Sequence, residues 1–251
     1  MKYFTLNGRV ALVTGANTGL GQAMAVALAE AGADVCLVGR SAPDETARRI
    51  RAAGRKTAVV MADLSTTASV ADIVEQSESA LGPIDILVNN AGTIRRADAL
   101  DFSETDWDDV IATNLKVPFF LSQSIASRMV GNGRHGKIIN VASLLSFQGG
   151  VRVASYTASK SGLAGLTRLL ANEWAARNIN VNAIVPGYFA TNNTEALRKD
   201  PERNRQILER IPAGRWGDPA DLGGAVVFLA SPASDYVHGA LIPVDGGWLA
   251  R

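Results

Sequence analysis

Seven short runs of apolar, mostly β-branched residues punctuate the chain, at 10–13, 35–38, 57–61, 84–88, 137–141, 180–184 and 240–244. Most lack the polar alternation of a sheet with one wet face, so they predict strands covered on both faces. Between them lie longer segments of helical period, at 19–31, 43–53, 69–81, 106–114 running on into 117–130, 155–177 and 219–230. In the first of these, Ala23, Val26, Ala27 and Glu30 recur at three- and four-residue spacing, and Ala31-Gly32 ends the pattern. Pro43 and Pro219 suit first-turn positions. Strand–helix alternation sustained over seven strands predicts an α/β fold, a parallel sheet wound on both faces through right-handed crossovers.

No linker, repeat or charge block divides residues 1–251, so one domain is expected. The irregular piece is 187–212, between the last two predicted strands. It opens on Pro186-Gly187, passes through Thr191-Asn192-Asn193-Thr194 and carries a charged, helix-like run at 195–210. A long insertion at the carboxyl end of a strand predicts a lid over a site.

The balance of 25 basic and 24 acidic side chains, a net charge of +1, gives no field that would favour nucleic acid or an anionic membrane. Neither partner is expected. No run of about 18 apolar residues is present, and the first 13 residues, which contain Asn7, Gly8 and Arg9, do not read as a secretory signal. Cys36 is the single cysteine, which rules out an intrachain disulfide and fits a reducing, cytoplasmic setting. His135 and His238 are far apart, without ligand spacing around either, so no metal site is expected.

The first predicted strand leads through Thr14-Gly15-Ala16-Asn17-Thr18-Gly19-Leu20-Gly21 straight into a helix. Glycines there allow a tight bend and close approach of a diphosphate to the backbone, and the helix start offers free N–H groups. The spacing, Gly-x-x-x-Gly-x-Gly, differs from the common G-x-G-x-x-G dinucleotide fingerprint. At the end of the second strand stands Gly39-Arg40-Ser41. An acidic residue in that place binds a ribose 2′-hydroxyl, whereas an arginine pairs with a 2′-phosphate, so Arg40 leans towards NADP(H).

Tyr156 and Lys160 are four apart on the 155–177 helix and share one face. A neighbouring ammonium favours the phenolate of a tyrosine whose ordinary pKa lies near 10. Ser143, thirteen residues earlier, ends a strand in Asn140-Val141-Ala142-Ser143, where its hydroxyl can hold a substrate oxygen.

Taken with Thr14–Gly21, Asp63-Leu64, Asn89-Asn90-Ala91-Gly92, Asn114 and Pro186-Gly187, these residues make the chain resemble the short-chain dehydrogenase/reductase family over essentially its whole length. The resemblance implies a seven-stranded Rossmann sheet, commonly a homotetramer, and hydride transfer between a nicotinamide and a carbon–oxygen bond. It implies that Tyr156 is the general acid/base, that Lys160 binds the nicotinamide ribose and lowers the Tyr156 pKa, and that Ser143 polarises the reacting oxygen. Asn114 is implied to interrupt a helix and hold a water linking Lys160 to solvent. The cofactor set it implies is Gly15, Asn17, Thr18, Gly19, Leu20, Gly21, Arg40, Asp63 at the adenine, Leu64, Asn90 on the adenosine side, Ala91, Gly92, Tyr156, Lys160, Pro186, Gly187 and Thr191 at the carboxamide.

Loop segments 93–96, 146–152, 190–194, 211–217 and 244–251 resemble the branch of that family acting on deoxy hexonates and hexulosonates. That narrower likeness implies NAD(H), ranked slightly ahead of the NADP(H) favoured by Arg40. Arginines on site loops agree with an acidic sugar, because a guanidinium grips a carboxylate through two hydrogen bonds. Arg152 or Arg95 is expected to hold the carboxylate, with Gln148 and Asn193 as hydroxyl partners beside Ser143 and Tyr156. Trp248 and Arg251 form a tail expected to pack on a neighbouring subunit. A 3-oxoacyl carrier-protein reductase or a sugar-alcohol dehydrogenase of the same fold is the alternative. A non-catalytic dinucleotide sensor is disfavoured, since it has no need of Ser143, Tyr156, Lys160 and Asn114 together.

Overall fold

The computed structural model describes residues 2–251. Its seven strands are β1 (Val10–Thr14), β2 (Asp34–Gly39), β3 (Thr57–Met61), β4 (Ile86–Asn89), β5 (Gly136–Val141), β6 (Ile179–Pro186) and β7 (Leu241–Val244). They lie in one sheet of order β3-β2-β1-β4-β5-β6-β7, and every pairing is parallel. The helices are α1 (Gly19–Glu30), α2 (Asp44–Ala52), α3 (Val70–Leu81), α4 (Glu104–Ile111), α5 (Val117–Gly131), α6 (Ala154–Trp174), α7 (Glu195–Lys199), α8 (Pro201–Arg210) and α9 (Gly223–Ala230). All seven predicted strands form. The strand order turns back between β1 and β4, which opens a crevice beyond their carboxyl ends.

Side-chain alternation along the strands separates two apolar layers. Ala11 and Val13 of β1 join Met24, Leu28, Val226 and Leu229 from α1 and α9. Leu12, between them, faces the other way and packs with Ile73, Leu121, Ile125 and Leu170 from α3, α5 and α6. Each such buried aliphatic side chain contributes about 1.5–3 kcal/mol. The exceptions to two-faced burial are the edge strands, β3, whose Val59 and Met61 remain exposed, and β7, where no residue is fully buried.

Two predicted helices differ in form. The 106–130 segment begins earlier, where Ser103 Oγ accepts the Asp106 N–H at 3.2 Å, and a π-helical turn at Ala112–Lys116 separates α4 from α5. The lid run at 195–210 splits into α7 and α8. Pro201 has no N–H and disfavours a helical residue before it, so Asp200 is extended and caps α8, accepting from Glu202 N and Arg203 N.

A buried polar chain lies beneath the carboxyl ends of β4 and β5. Asn89 Nδ2 donates to Asn140 Oδ1 and Ser122 Oγ, both at 2.9 Å, and Asn140 Nδ2 donates to Thr167 Oγ1 at 2.9 Å. It ties both strands to α5 and to α6, which carries Tyr156 and Lys160. Among the described residues, no helix is long and apolar enough to cross a membrane, and no group of three His, Cys, Asp or Glu side chains is placed to hold a metal.

Candidate active site

The glycine turn after β1 is tied to β2 through Gly15, whose N–H donates to the Val38 carbonyl at 2.8 Å. Gly15 and Gly19 have φ of +64° and +58°, in the left-handed region. A Cβ on Gly21 would lie 2.2 Å from the Gly15 carbonyl oxygen, so only hydrogen fits there. Asn90 Nδ2 donates to the carbonyls of Thr14 and Gly15, while Thr14 Oγ1 accepts from the N–H groups of Asn90 and Ala91. The amide of Asn90 therefore braces the turn, and only its oxygen is left for an adenosine. Thr18 makes no side-chain cap on α1, and the first turn of α1 has no acidic residue. An uncapped, positively polarised helix start facing a crevice fits a diphosphate.

Along the crevice, Asn17 Nδ2 donates to Ser41 Oγ at 2.8 Å, placing the glycine turn beside the end of β2. Arg40 is exposed, and no carboxylate among the described residues lies within ion-pair distance of it. Asp63 sits opposite. Hydrogen bonds from Ser65 hold its carboxyl below the usual range, with a smaller contribution from the charge of Arg40. Leu64 is buried against the sheet, and Gly187 runs so close to β7 that a Cβ would meet Asp245 Cα at 2.6 Å.

Ser143, Tyr156 and Lys160 come together at the end of β5. Ser143 caps a short turn by accepting from Leu145 N at 3.2 Å. The Tyr156 phenol lies near enough for the Ser143 hydroxyl to lower its pKa. Lys160 Nζ is buried, donates to the Val141 carbonyl at 2.7 Å and lies 5.6 Å from the centre of the Tyr156 ring. The balance on Tyr156 differs from the expected depression by Lys160. Burial pushes its pKa up, opposed by the Ser143 hydrogen bond and by the charge of Arg96. Burial also lowers the Lys160 pKa to about 8. The ammonium points to a main-chain oxygen, and both groups are desolvated.

The Lys160 shift has a measurable sign. Its folded pKa lies below its unfolded value of 10.5, so between about pH 8 and 10.5 the unfolded chain binds more protons. Stability from this group therefore rises through that window, and below pH 8 the full cost of the buried ammonium is present. Urea unfolding of the cofactor-free chain is expected to show the parent gaining about 3 kcal/mol over Lys160→Met from pH 7 to 11. A pH-independent difference would mean that the ammonium is solvated.

Asn114 is fully buried in the π-helical turn, so the interruption expected of it is present. Its side chain is committed elsewhere. Oδ1 accepts from Thr93 N at 2.8 Å, and Nδ2 donates to Thr93 O at 2.9 Å and Ser159 Oγ at 3.2 Å. Ser159 Oγ in turn donates to the Tyr156 carbonyl. Thr93 and Ser159, which the sequence did not single out, thus fix the 90–97 loop against α6. Gly92 passes close by, where a Cβ would sit 3.3 Å from Asn114 Oδ1.

The arginines do not divide as expected. Arg95 pairs with Asp106 at 3.3 Å and Asp109 at 2.5 Å on α4, and Arg152 pairs with Asp98 at 3.3 Å. Arg95 also donates to Thr93 Oγ1, which puts residues 93 and 95 on one side of the loop. Arg96 is exposed, its charge acts on Tyr156, and it has no ion-pair partner among the described residues. Gln148 Oε1 accepts from Trp248 Nε1 at 3.2 Å and Arg210 at 3.1 Å, leaving its NH2 as the available end. Asn193 is exposed on the lid.

The tail makes contacts within its own chain. Trp248 is 4% exposed within its own chain, where Arg210 stacks on it at 4.1 Å and Tyr188 packs at 4.6 Å. Arg251 donates to the carbonyls of Glu209 and Arg210. Residues 248–251 therefore hold the end of α8, and the indole is covered within its own chain.

Comparison with known proteins agrees with this geometry. A family profile described as enoyl-(acyl carrier protein) reductase matches residues 15–249. The chain is 60% identical over 248 residues to the 2-dehydro-3-deoxy-D-gluconate 5-dehydrogenase of Dickeya dadantii, covering 99% of this chain and 98% of the relative. A crystal structure from Agrobacterium tumefaciens, provisionally described as a 2-deoxy-D-gluconate 3-dehydrogenase with bound NADP, superposes with a TM-score of 0.95. It is 59% identical and each chain is covered to 100%. A gluconate 5-dehydrogenase from Burkholderia cenocepacia, in complex with NADP and tartrate, gives 0.94 at 39% identity, with 100% of this chain and 98% of the other covered. Likeness of this extent, over a sheet and a Ser–Tyr–Lys constellation already found in place, establishes that the chain belongs to the short-chain dehydrogenase/reductase family.

Proposed function

We propose that the protein is an NADP(H)-dependent oxidoreductase that interconverts a secondary hydroxyl and a ketone on a deoxy hexonate or hexulosonate, of the 2-dehydro-3-deoxy-D-gluconate or 2-deoxy-D-gluconate kind. The observation that carries the substrate class is the 60% identity, over 99% of the chain, to a 2-dehydro-3-deoxy-D-gluconate 5-dehydrogenase, and Arg96, exposed and without a carboxylate partner, is a cation whose charge reaches the Tyr156 phenol. A sugar acid brings the missing anion to that place. The names of the 60% and 59% identical proteins support the same class. NADP in both related crystal structures, together with unpaired Arg40, removes the ground for ranking NAD(H) first.

A bound nicotinamide supplies or accepts the hydride. The remaining chemistry belongs to the chain. Ser143 Oγ orients the substrate oxygen, and Tyr156 Oη gives it a proton during reduction or takes one during oxidation. Lys160 Nζ, freed from the Val141 carbonyl by a small rotation, holds the nicotinamide ribose. The Asn114 side chain is already spent on Thr93 and Ser159, so a relay from Lys160 to solvent runs through its main chain. Thr191 holds the carboxamide, and the free NH2 of Gln148 and the amide of Asn193 meet substrate hydroxyls. A cytoplasmic homotetramer completes the reading, with exposed Trp107, Phe120 and Leu169 on α4, α5 and α6 available to a second copy.

The test is an initial-rate assay on 2-dehydro-3-deoxy-D-gluconate with NADP⁺ and NAD⁺, repeated on the analogue in which the carboxylate is a primary alcohol. Arg96→Met is expected to raise KM for the acid about 10–100-fold, the worth of charge-assisted hydrogen bonds of about 1.5–3 kcal/mol. KM for the alcohol is expected to change less than about threefold. Equal losses on both substrates would remove the carboxylate role, and no turnover with either nucleotide would remove the substrate class.

A further inference from the structure

Three arginines of the chain are only partly exposed: Arg55, Arg134 and Arg198. Arg55 pairs with Asp34 at 2.7 Å and Arg134 with Asp85 at 2.5 Å. Arg198, on α7 in the lid, has no carboxylate within 4.0 Å among the described residues. Its one hydrogen bond runs from Nη2 to the Thr191 carbonyl at 3.1 Å, and its Nε is buried without a partner. A guanidinium withdrawn from water keeps its charge, so it needs a counter-ion or its burial remains a net cost. The chain supplies one to Arg55 and to Arg134 and none to Arg198.

The position of Arg198 shows where the anion comes from. Thr191, whose carbonyl it grips, rests on the glycine turn, its Cγ2 being 3.5 Å from where a Cβ on Gly19 would stand. Lid and phosphate turn are thus already in contact at the residue that Arg198 holds. The geometry points to Arg198 as an oxyanion-binding residue of the lid, neutralised by an oxygen of the ligand that lies beneath α7. Two groups of that chemistry enter the crevice in the proposed reaction, the cofactor diphosphate and the substrate carboxylate. The Gly19 contact makes the diphosphate the nearer. Ligand binding then draws α7 down by charge, and the lid closes over a loaded site. The inference rests on the reading of the crevice as a dinucleotide site, and its first test needs no sugar acid.

Arg198→Met removes the charge and keeps the apolar stem. Titration of NADPH fluorescence is expected to show Kd raised about tenfold or more, the worth of about one charge-assisted hydrogen bond. Arg198→Lys is expected to stay within about threefold of the parent, because an ammonium supplies the charge without the fork. In a second arm, KM is measured on 2-dehydro-3-deoxy-D-gluconate and on its alcohol analogue. Unchanged NADPH affinity with a selective rise for the acid supports the oxyanion role and assigns it to the substrate carboxylate. Thermal unfolding of each variant checks the fold. NADPH affinity and acid selectivity both within twofold of the parent, in a folded Arg198→Met, would overturn the proposal. So would equal losses by the Lys and Met variants, which would mark the residue as packing alone. Failure of the sugar-acid assay with NADPH binding still lost in Arg198→Met would sink the substrate reading and leave this one standing.

Discussion

Tyr156→Phe is expected to lower kcat by about three orders of magnitude while leaving the Kd for NADPH within about twofold, since general acid/base catalysis contributes roughly 10²–10⁴-fold. The change deletes one oxygen from a half-buried ring packed beside Lys160 and Ser143, and nothing in the fold depends on that oxygen. The glycine turn, Asn90 and Arg40 lie elsewhere in the crevice, so nucleotide binding has no reason to change. Burial raises the Tyr156 pKa, which favours the protonated phenol at neutral pH. Reduction of a ketone can use that proton directly, whereas oxidation of a hydroxyl needs the phenolate. In the parent, oxidation is therefore expected to speed up with rising pH, and the residual rate of Tyr156→Phe is expected to lose that dependence. A variant that retained more than a tenth of parental kcat would remove Tyr156 from the proton-transfer step.

The parallel sheet and the order of site residues were legible because each depends on short-range patterns. Apolar runs such as 10–13 and 35–38 match strands buried on both faces, and Tyr156 and Lys160 meet because four residues make about one helical turn. The roles of the loop arginines were not legible. Arg95 is neutralised by Asp106 and Asp109, which stand three apart on α4, and that pairing exists only once α4 has docked beside the 90–97 loop. Asn90 illustrates a different gap. Its place in the Asn-Ala-Gly segment points to the cofactor crevice, yet its amide works on the backbone of the turn 75 residues away in sequence. Trp248 went astray for a third reason. A terminal aromatic reads as unburied until α8 and Gln148 are seen to cover it.

These differences share a physical origin. A charged or aromatic side chain reports that it needs a partner, and only the tertiary arrangement says which partner is near. Where the chain supplies that partner, as at Arg95 and Arg152, the residue is part of the scaffold. Where it does not, as at Arg40, Arg96 and Arg198, the charge is left without an anion of the chain's own. The proposed reaction brings anions of two kinds, a phosphorylated dinucleotide and a sugar acid.

Arg40→Met is expected to raise KM for NADP⁺ about 30-fold or more and to change KM for NAD⁺ by less than about threefold. A 2′-phosphate carries charge that residues 39–41, Gly, Arg and Ser, can meet only through Arg40, the one cation among them. One or two charge-assisted hydrogen bonds are worth about 1.5–3 kcal/mol each, and exposure of Arg40 to solvent reduces the sum towards about 2 kcal/mol. That remainder corresponds to the stated factor. Ser41, oriented by Asn17, supplies a neutral donor that either nucleotide can use, which is why NAD⁺ is expected to be indifferent. Asp63 feels the charge of Arg40, so its carboxyl is expected to become less acidic in Arg40→Met, a change that an NMR titration of the cofactor-free chain reads directly. A parent enzyme already faster on NAD⁺ at low nucleotide, with Arg40→Met equally slowed on both, would show that Arg40 contacts the shared adenosine and reads no phosphate.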